Sequence, residues 1–443
     1  MAEAEAALSD LRVLDLTGPI GVYCGKLLAD LGADVVKVEP PGGDPMRQLG
    51  PFYEAGAGAR AGSKPAPTDA DSSLPSPSIG RRAGGEGPSQ GERSLYWCHF
   101  NTSKRGITLN LESPEGQALF RRLAQVADII VETYTPGYLD GLGIGWDALH
   151  ELNPSLILTS ITPFGQTGPY SRFKGADIVG QAMGGLMNQV GLPDRPPYVI
   201  GVEMGYFTAA TLAADGTMLA LTQRDTGGGG QHVDASMQQA IALGTGSAMA
   251  YFEVLGTIVQ RGRYGLGGGT PLRDTYPSKD GWVFFLSAAV GTSMNAVADF
   301  VTENGMGDEF DPAWRDIEAM RRDPDQLAAF QSLMYRFFAR YSGRELLEMG
   351  FARNPPVFVV PTDHADGIAG SPQLQARGFF VEVEHPELDA TFTYPGAPYV
   401  MPESPWQLSR RAPLIGEHNN EVYAEWLGID EDEIVRLQSA GVL

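Results

Sequence analysis

Short apolar runs bounded by polar ends and glycine or proline dominate the first third of the chain. Leu11–Thr17 reads as a strand with a polar end, and Gly18, Pro19 and Gly21 turn the chain out of it. Val22 to Leu31 then follows a helical period, with Tyr23, Leu27 and Leu28 on one face. Asp34–Glu39 is a second strand, stopped by Pro40, Pro41, Gly42 and Gly43. A β-α-β unit with connections this short implies a parallel sheet. The same signals recur downstream. Ser113 and Pro114 make an N-cap and first turn for a helix running to about Ala127, with Leu119, Leu123 and Val126 inward. Asp128–Glu132 is a third strand and Leu156–Ile161 a fourth. The fourth ends in Thr162–Gly168, a loop at the carboxyl end of a strand, where parallel sheets bind ligands.

Beyond that point helices predominate. One opens near Asp177 and runs to about Gln189. A polar loop, Arg195–Glu203, leads into a long helix of small residues ending at Arg224. His232–Met237 precedes another helix to about Val254, and Gly262–Gly269 is glycine-rich. Trp282–Leu286 is a strand opening a second region. That region has helices around Asp325–Arg340 and Gly343–Met349 and an apolar run at Pro356–Val360. A last amphipathic helix carries Val422, Trp426 and Leu427. Residues 55–93 stand apart, rich in Gly, Ala, Pro and Ser with almost no large apolar side chain. They cannot bury enough surface to offset chain entropy and read as a mobile insertion, either a lid or a plain loop expansion. No internal repeat is present.

Composition narrows the class. The 443 residues are 43% hydrophobic and 19% charged, ordinary for a globular chain large enough for two or three domains. A net charge of −22 argues against nucleic acid or an anionic membrane as partner. Two cysteines, Cys24 and Cys98, imply neither a disulfide framework nor a cysteine zinc site, and no metal site is expected. The acidic N-terminus lacks a signal-peptide layout and no apolar run reaches membrane-spanning length, so a cytoplasmic enzyme is expected.

The chemistry converges on Arg195–Arg224. The loop delivers Glu203, Gly205 and Tyr206 onto the first turn of the long helix, where unpaired N–H groups and the helix dipole favour negative charge. A carboxylate nucleophile or an oxyanion suits that position.

Seven segments carry a resemblance to a known family: 28–44, 101–111, 128–137, 152–157, 165–169, 228–237 and 411–418. Among them are Asn101–Leu111, Gly165–Pro169 and Arg411–His418. The chain resembles the family III CoA-transferases, a group that also includes α-methylacyl-CoA racemase. The match spans nearly everything outside the insertion. It implies an α/β fold with a large Rossmann-like domain from both chain ends, 1–237 and 414–443. A smaller α+β domain over 265–392 and linkers at 238–264 and 393–413 complete the chain. Two subunits are expected to interlock as linked rings.

The family's transferases use an aspartate that attacks the acyl-CoA thioester. The mixed anhydride that forms is then exchanged to an enzyme-bound CoA thioester. Laid on this sequence without gaps, that position is Tyr206, and a phenol does not replace a carboxylate. Glu203 is either a displaced nucleophile or a capping carboxylate. Asp177 matches an acidic active-site position and either assists catalysis or stabilises the start of its helix. The racemases have a histidine where this chain has Ala176, so a racemase reading loses its proton-transfer residues at 176 and 206.

For CoA, the resemblance assigns Lys174 as a binding lysine and places Tyr134 near the adenine, with Thr133 and Leu109 beside it. Family basic positions are Pro40, Glu112 and Gly141 here, so Lys37, Lys104 or Arg105 would have to compensate. Gly267, Gly268 and Gly269 resemble a mobile glycine loop that closes over the nucleophile. Two functions follow. One is a self-sufficient enzyme moving CoA between an acyl-CoA and a carboxylic acid through Glu203 or Asp177, as a homodimer. The other is the non-nucleophilic subunit of a heteromer, as in benzylsuccinate CoA-transferase. An NAD-dependent dehydrogenase is a remote reading, because Gly18–Gly21 is not a G-x-G-x-x-G turn.

Overall fold

A computed structural model describes residues 6–54, 92–191, 195–259, 261, 273–286 and 293–443. The expected insertion and the glycine loop at Gly267, Gly268 and Gly269 lie outside the described residues, apart from 55–93's last two positions. Two units divide the chain. The larger holds the described parts of Met1–Met187, Tyr198–Glu253 and Gly378–Leu443; the smaller holds those of Asn188–Pro197 and Val254–Arg377.

Six parallel strands form the sheet of the larger unit: β1 (Arg12–Leu16), β2 (Asp34–Glu39), β3 (Arg105–Thr108), β4 (Ile129–Glu132), β5 (Ile157–Thr162) and β6 (His232–Ser236). Their spatial order is β3-β2-β1-β4-β5-β6. The chain steps outward from β1 to β3, then returns to the other side of β1, as in a doubly wound nucleotide-binding sheet. Inner strands are buried on both faces: every residue of β4 and β5 is buried, so β4 reads as an apolar run closed by Glu132 rather than an alternating one, and β5 buries Thr159, Ser160 and Thr162 as well.

One face carries helix α1 (Val22–Asp30), a long helix α4 (Met204–Asp225) and α5 (Met237–Gly244); Ala209, Ala210, Ala213 and Ala214 of α4 pack on it. The other face is covered by α2 (Pro114–Val126) and two C-terminal helices, α6 (Asn419–Leu427) and α7 (Glu431–Ser439). The C-terminal segment also closes the β3 edge. Asn419 Oδ1 accepts from the Thr108 amide at 2.9 Å, and the Tyr423 hydroxyl donates to the Thr108 carbonyl at 2.8 Å.

Several boundaries differ from the sequence expectation. The helix opening at Asp177 ends at Met183, because Gly184 and a left-handed Gly185 (φ 86°) break it before Leu186–Gln189. The helix after β6 stops at Gly244 and a second one, Gly246–Leu255, follows. The apolar run at 356–360 pairs only over Val359–Pro361. The C-terminus holds two helices where the apolar pattern marked one.

The smaller unit has its own core. Trp282–Phe285 pairs antiparallel with Thr275–Pro277 and Val359–Pro361, and Tyr276, Phe285, Phe330 and Phe338 pack beside it. Among the described residues, no helix is long and apolar enough to cross a membrane, and no His, Cys, Asp or Glu group could hold a metal ion.

Candidate functional site

The first turn of α4 is built on backbone that most residues avoid. Val202 and Glu203 both have positive φ, 61° and 51°, and Glu203 lies in the left-handed region with ψ 47°. For a β-branched residue this is a strained conformation that surrounding contacts must hold. One such contact is visible. Glu203 Oε2 accepts from the Tyr96 hydroxyl at 2.9 Å. Glu203 stands at the N-cap but makes no side-chain cap bond.

Asp177 does the capping instead, and not of its own helix. It is the first residue of α3 (Asp177–Met183), and its Oδ1 accepts from the amides of Gly205 (2.7 Å) and Tyr206 (3.1 Å) in the first turn of α4. The close approach requires glycine at 205, where a Cβ would sit 2.8 Å from that oxygen. The fully buried Gln181 fixes the arrangement. Its Nε2 donates to Asp177 Oδ2 (2.6 Å) and to the Ile200 carbonyl (2.9 Å), and its Oε1 accepts from the Ile200 amide (2.9 Å).

The helix terminus therefore already holds an anion supplied by the chain itself. Burial raises the Glu203 carboxyl against the opposing Tyr96 hydrogen bond, with Asp177 adding to the rise. Burial also raises the Tyr206 phenol, which keeps it protonated. Tyr206 packs partly against the α1–α4 core.

A second feature lies where the sheet topology switches. A cavity of about 440 Å³ opens at the carboxyl ends of β1 to β4, with Thr133, Tyr134 and Leu109 of the expected CoA contacts in its wall. The rings of Tyr134 and Tyr138 sit 4.6 Å apart on one side. Leu16, Val38, Met46, Leu49 and Leu111 supply apolar wall.

Lys37, expected as a compensating CoA contact, does not line this cavity. It is fully buried, and its ammonium donates to the Thr17 carbonyl and pairs with Asp15 and Asp44, each at 3.4 Å. Asp15 is the hub of this buried cluster. Burial pushes its carboxyl up, but Lys104 (2.7 Å) and Lys37 outweigh that and hold it at about 2. Gly25 makes room for it, since a Cβ there would meet Asp15 Oδ2 at 2.2 Å. Burial brings the Lys104 ammonium down to about 8 against the pull of Asp15.

Arg105 is committed as well. Its guanidinium binds Asp34 (2.5 Å), Glu421 (2.8 Å) and Glu425 (2.7 Å), tying β3 to α6. None of the three cations that sequence reasoning offered as compensation is available to a phosphate. Lys174 is exposed on the loop before α3.

One group escaped sequence reasoning. Glu132, at the end of β4, is almost fully buried, and burial pushes its carboxyl up to about 7 against hydrogen bonds from Ser160 and the Tyr134 amide (2.5 Å). Ser160 is bonded in turn to His232 Nε2 at 2.8 Å. The register Glu132↔Ser160 across adjacent parallel strands brings these residues together, and no local pattern announces it.

Comparison with known proteins gives one consistent answer. The model of CoA-transferase family III matches residues 8–419. The BbsE subunit of succinyl-CoA:(R)-benzylsuccinate CoA-transferase from Thauera aromatica is 33% identical over 437 residues, covering 97% of each chain. Succinyl-CoA–D-citramalate CoA-transferase from Chloroflexus aurantiacus is 32% identical over 438 residues, 98% of each. Among solved structures, a CaiB/BaiF family protein from Brucella suis has a TM-score of 0.76 at 26% identity, over 95% of this chain and 100% of that one.

Proposed function

This chain belongs to CoA-transferase family III, and we propose that it moves CoA between an acyl-CoA and a carboxylic acid as one subunit of a heteromer, with the nucleophile on a homologous partner. The observation that carries this reading is the first turn of α4. Tyr206 occupies the position that the family resemblance gives to an aspartate, and the amides of Gly205 and Tyr206 are already bonded to Asp177. A phenol kept protonated by burial does not form and exchange the acyl adducts that a carboxylate does. A relative of full-length similarity is itself named a subunit.

Exposed apolar surface supports the assembly. Helix Gly246–Leu255 buries none of its residues, although Met249, Phe252 and Leu255 are all at least 50% exposed. A patch of that kind is covered in the working protein, and a homologous subunit in the interlocked-ring arrangement is the cover proposed. Within this chain, Asp177 holds the first turn of α4. Tyr134, Thr133 and Leu109 are assigned to the nucleotide end of the thioester, and Lys174 to an anionic part of it outside the cavity.

Glu203 keeps a second reading alive. Its left-handed backbone and its bond to Tyr96 hold a half-buried carboxyl beside the helix terminus, where a self-sufficient enzyme would need one. The two readings separate in one assay. The chain is purified alone and with a homologous partner, and CoA transfer from succinyl-CoA to a panel of carboxylic acids is followed. Turnover only with the partner, unchanged by Glu203→Gln in this chain, is expected. Turnover by the chain alone that Glu203→Gln abolishes would establish the second reading.

A further inference from the structure

The turn that puts Thr133 and Tyr134 into the cavity wall is held by two bonds. Tyr134 N donates to Glu132 Oε2 at 2.5 Å, and Gly18 N donates to Thr133 Oγ1 at 2.7 Å. The first depends on a carboxyl group that is only 4% exposed, so water does little to solvate its charge.

From Glu132 a file of side chains crosses the sheet to its edge. Ser160 of β5 stands in register with Glu132 and bonds to it, and Ser160 Oγ lies 2.8 Å from Nε2 of His232 on the edge strand β6. Ser160 is buried, whereas His232 is partly exposed. The His232 ring stacks 5.6 Å from the indole of Trp146, which stacks on His150 in turn. The charged groups acting most strongly on this file are acidic: Asp140 and Asp234 on Glu132, and Asp234, Asp140 and Asp147 on His232. Asp44, Glu112 and Asp15 face Tyr134 beside Glu132. On the β1 side the residue in register with Glu132 is the uncharged Leu16.

A serine hydroxyl between two groups has one proton to give. With Glu132 protonated, its O–H donates to Ser160 Oγ, Ser160 donates to His232 Nε2, and the ring carries its proton on Nδ1. With Glu132 ionised, Ser160 donates to the carboxylate, and His232 offers Nε2–H to Ser160 Oγ. A balanced shift connects the two states. The Glu132 proton passes to Ser160 Oγ, the Ser160 proton passes to His232 Nε2, and the Nδ1 proton passes to a solvent water at the sheet edge.

We infer that Glu132 is a positioning residue for the Tyr134 wall, and that Ser160 and His232 form the relay that loads and unloads its proton from the sheet edge. A charged acceptor holds an amide roughly twice as strongly as a neutral one, so loss of the proton tightens the wall. Burial pushes the Glu132 carboxyl up to about 7, which places the exchange near neutral pH. Burial also lowers the His232 imidazolium, which keeps the ring neutral there. The relay works whatever ligand fills the cavity and whichever subunit carries the nucleophile.

The test is heteronuclear NMR of the full-length chain with its six histidines isotope-labelled, together with amide exchange at Tyr134. Both run from about pH 6 to about pH 8, either side of the Glu132 value. The His232 signals are assigned by their loss in His232→Gln. His232 should be protonated on Nδ1 at the low end and on Nε2 at the high end. Tyr134 exchange, corrected for its intrinsic rate, should slow on the order of tenfold over the same range, the difference between a neutral and a charged acceptor. Glu132→Gln, whose side-chain N–H donates as the protonated acid does, should hold Nδ1–H at both ends and remove the change at Tyr134. Ser160→Ala should abolish the tautomer change and leave the Tyr134 change, and it tests the relay even if Glu132→Gln does not fold. A His232 tautomer constant across the range overturns the inference. So does a tautomer change that survives either variant, or Tyr134 exchange that does not respond to pH.

Discussion

Replacing Asp177 with alanine removes three bonds at once: those to the amides of Gly205 and Tyr206, and that from Gln181. Loss of an N-cap acceptor costs about 1–2 kcal/mol. Loss of a negative charge at a helix N-terminus adds roughly 0.3–1 kcal/mol. Asp177→Ala should therefore destabilise the chain by about 1.3–3 kcal/mol. Asp177→Asn is not a silent substitute. With its oxygen on the two amides, its new NH2 faces Gln181 Nε2, a donor against a donor. Gln181 cannot rotate to help, because both ends of its amide are engaged by Ile200.

Asparagine should thus cost about 1–2 kcal/mol, between wild type and alanine. Urea unfolding followed by far-UV circular dichroism gives the free energies. Hydrogen exchange at Gly205 and Tyr206 reports the cap directly, and both amides should lose protection in Asp177→Ala. If Asp177→Ala unfolds within 0.5 kcal/mol of wild type with those amides still protected, Asp177 is not the cap. Loss of heteromer turnover at unchanged stability would instead place it against substrate.

Other consequences follow from the buried charges. Glu132 binds a proton in the folded state up to about pH 7 but releases it near 4.5 when unfolded, so the folded chain holds more protons between those values. Stability should fall as pH rises through that window, by about 3 kcal/mol at most from this group, and Glu132→Gln should flatten the slope. Equal slopes in urea titrations of wild type and variant would refute the assignment. Lys104→Met leaves fully buried Asp15 with only the 3.4 Å contact to Lys37 for charge balance. It should cost about 3–5 kcal/mol by thermal or urea unfolding, with Asp15→Asn in the same chain recovering part of that. Gly205→Ala should loosen the Asp177 cap, visible as faster exchange at residue 206, because the added methyl lies within 2.8 Å of the capping oxygen.

The sheet was legible in the sequence wherever a strand is buried on both faces. β4 is an isoleucine–valine run closed by Glu132 and β2 a valine run interrupted by Lys37, and their bounds lie within a residue of those expected. The cavity itself was not marked by that pattern: the sequence pointed to the loop Thr162–Gly168 after β5, whereas the cavity lies at the ends of β1 to β4 and that loop is not in its wall. Long-range pairings were not legible. Arg105 looks like a surface charge until α6 returns more than 300 residues later with Glu421 and Glu425. Lys37 alternates with apolar neighbours as a solvent-facing lysine would, yet Asp15 on the adjacent strand buries it. Asp177 reads in the sequence as assisting catalysis or stabilising the start of its own helix, and its carboxylate caps a different helix 28 residues on.

We propose that this chain lacks the group that becomes acylated. The most direct test is peptide mass spectrometry after incubation with succinyl-CoA and trapping with hydroxylamine or borohydride, on the chain alone and in the heteromer. If that proposal holds, no carboxylate of this chain is modified in either sample and a single carboxylate of the proposed partner is. A trapped adduct at Glu203 or Asp177 of this chain would contradict it.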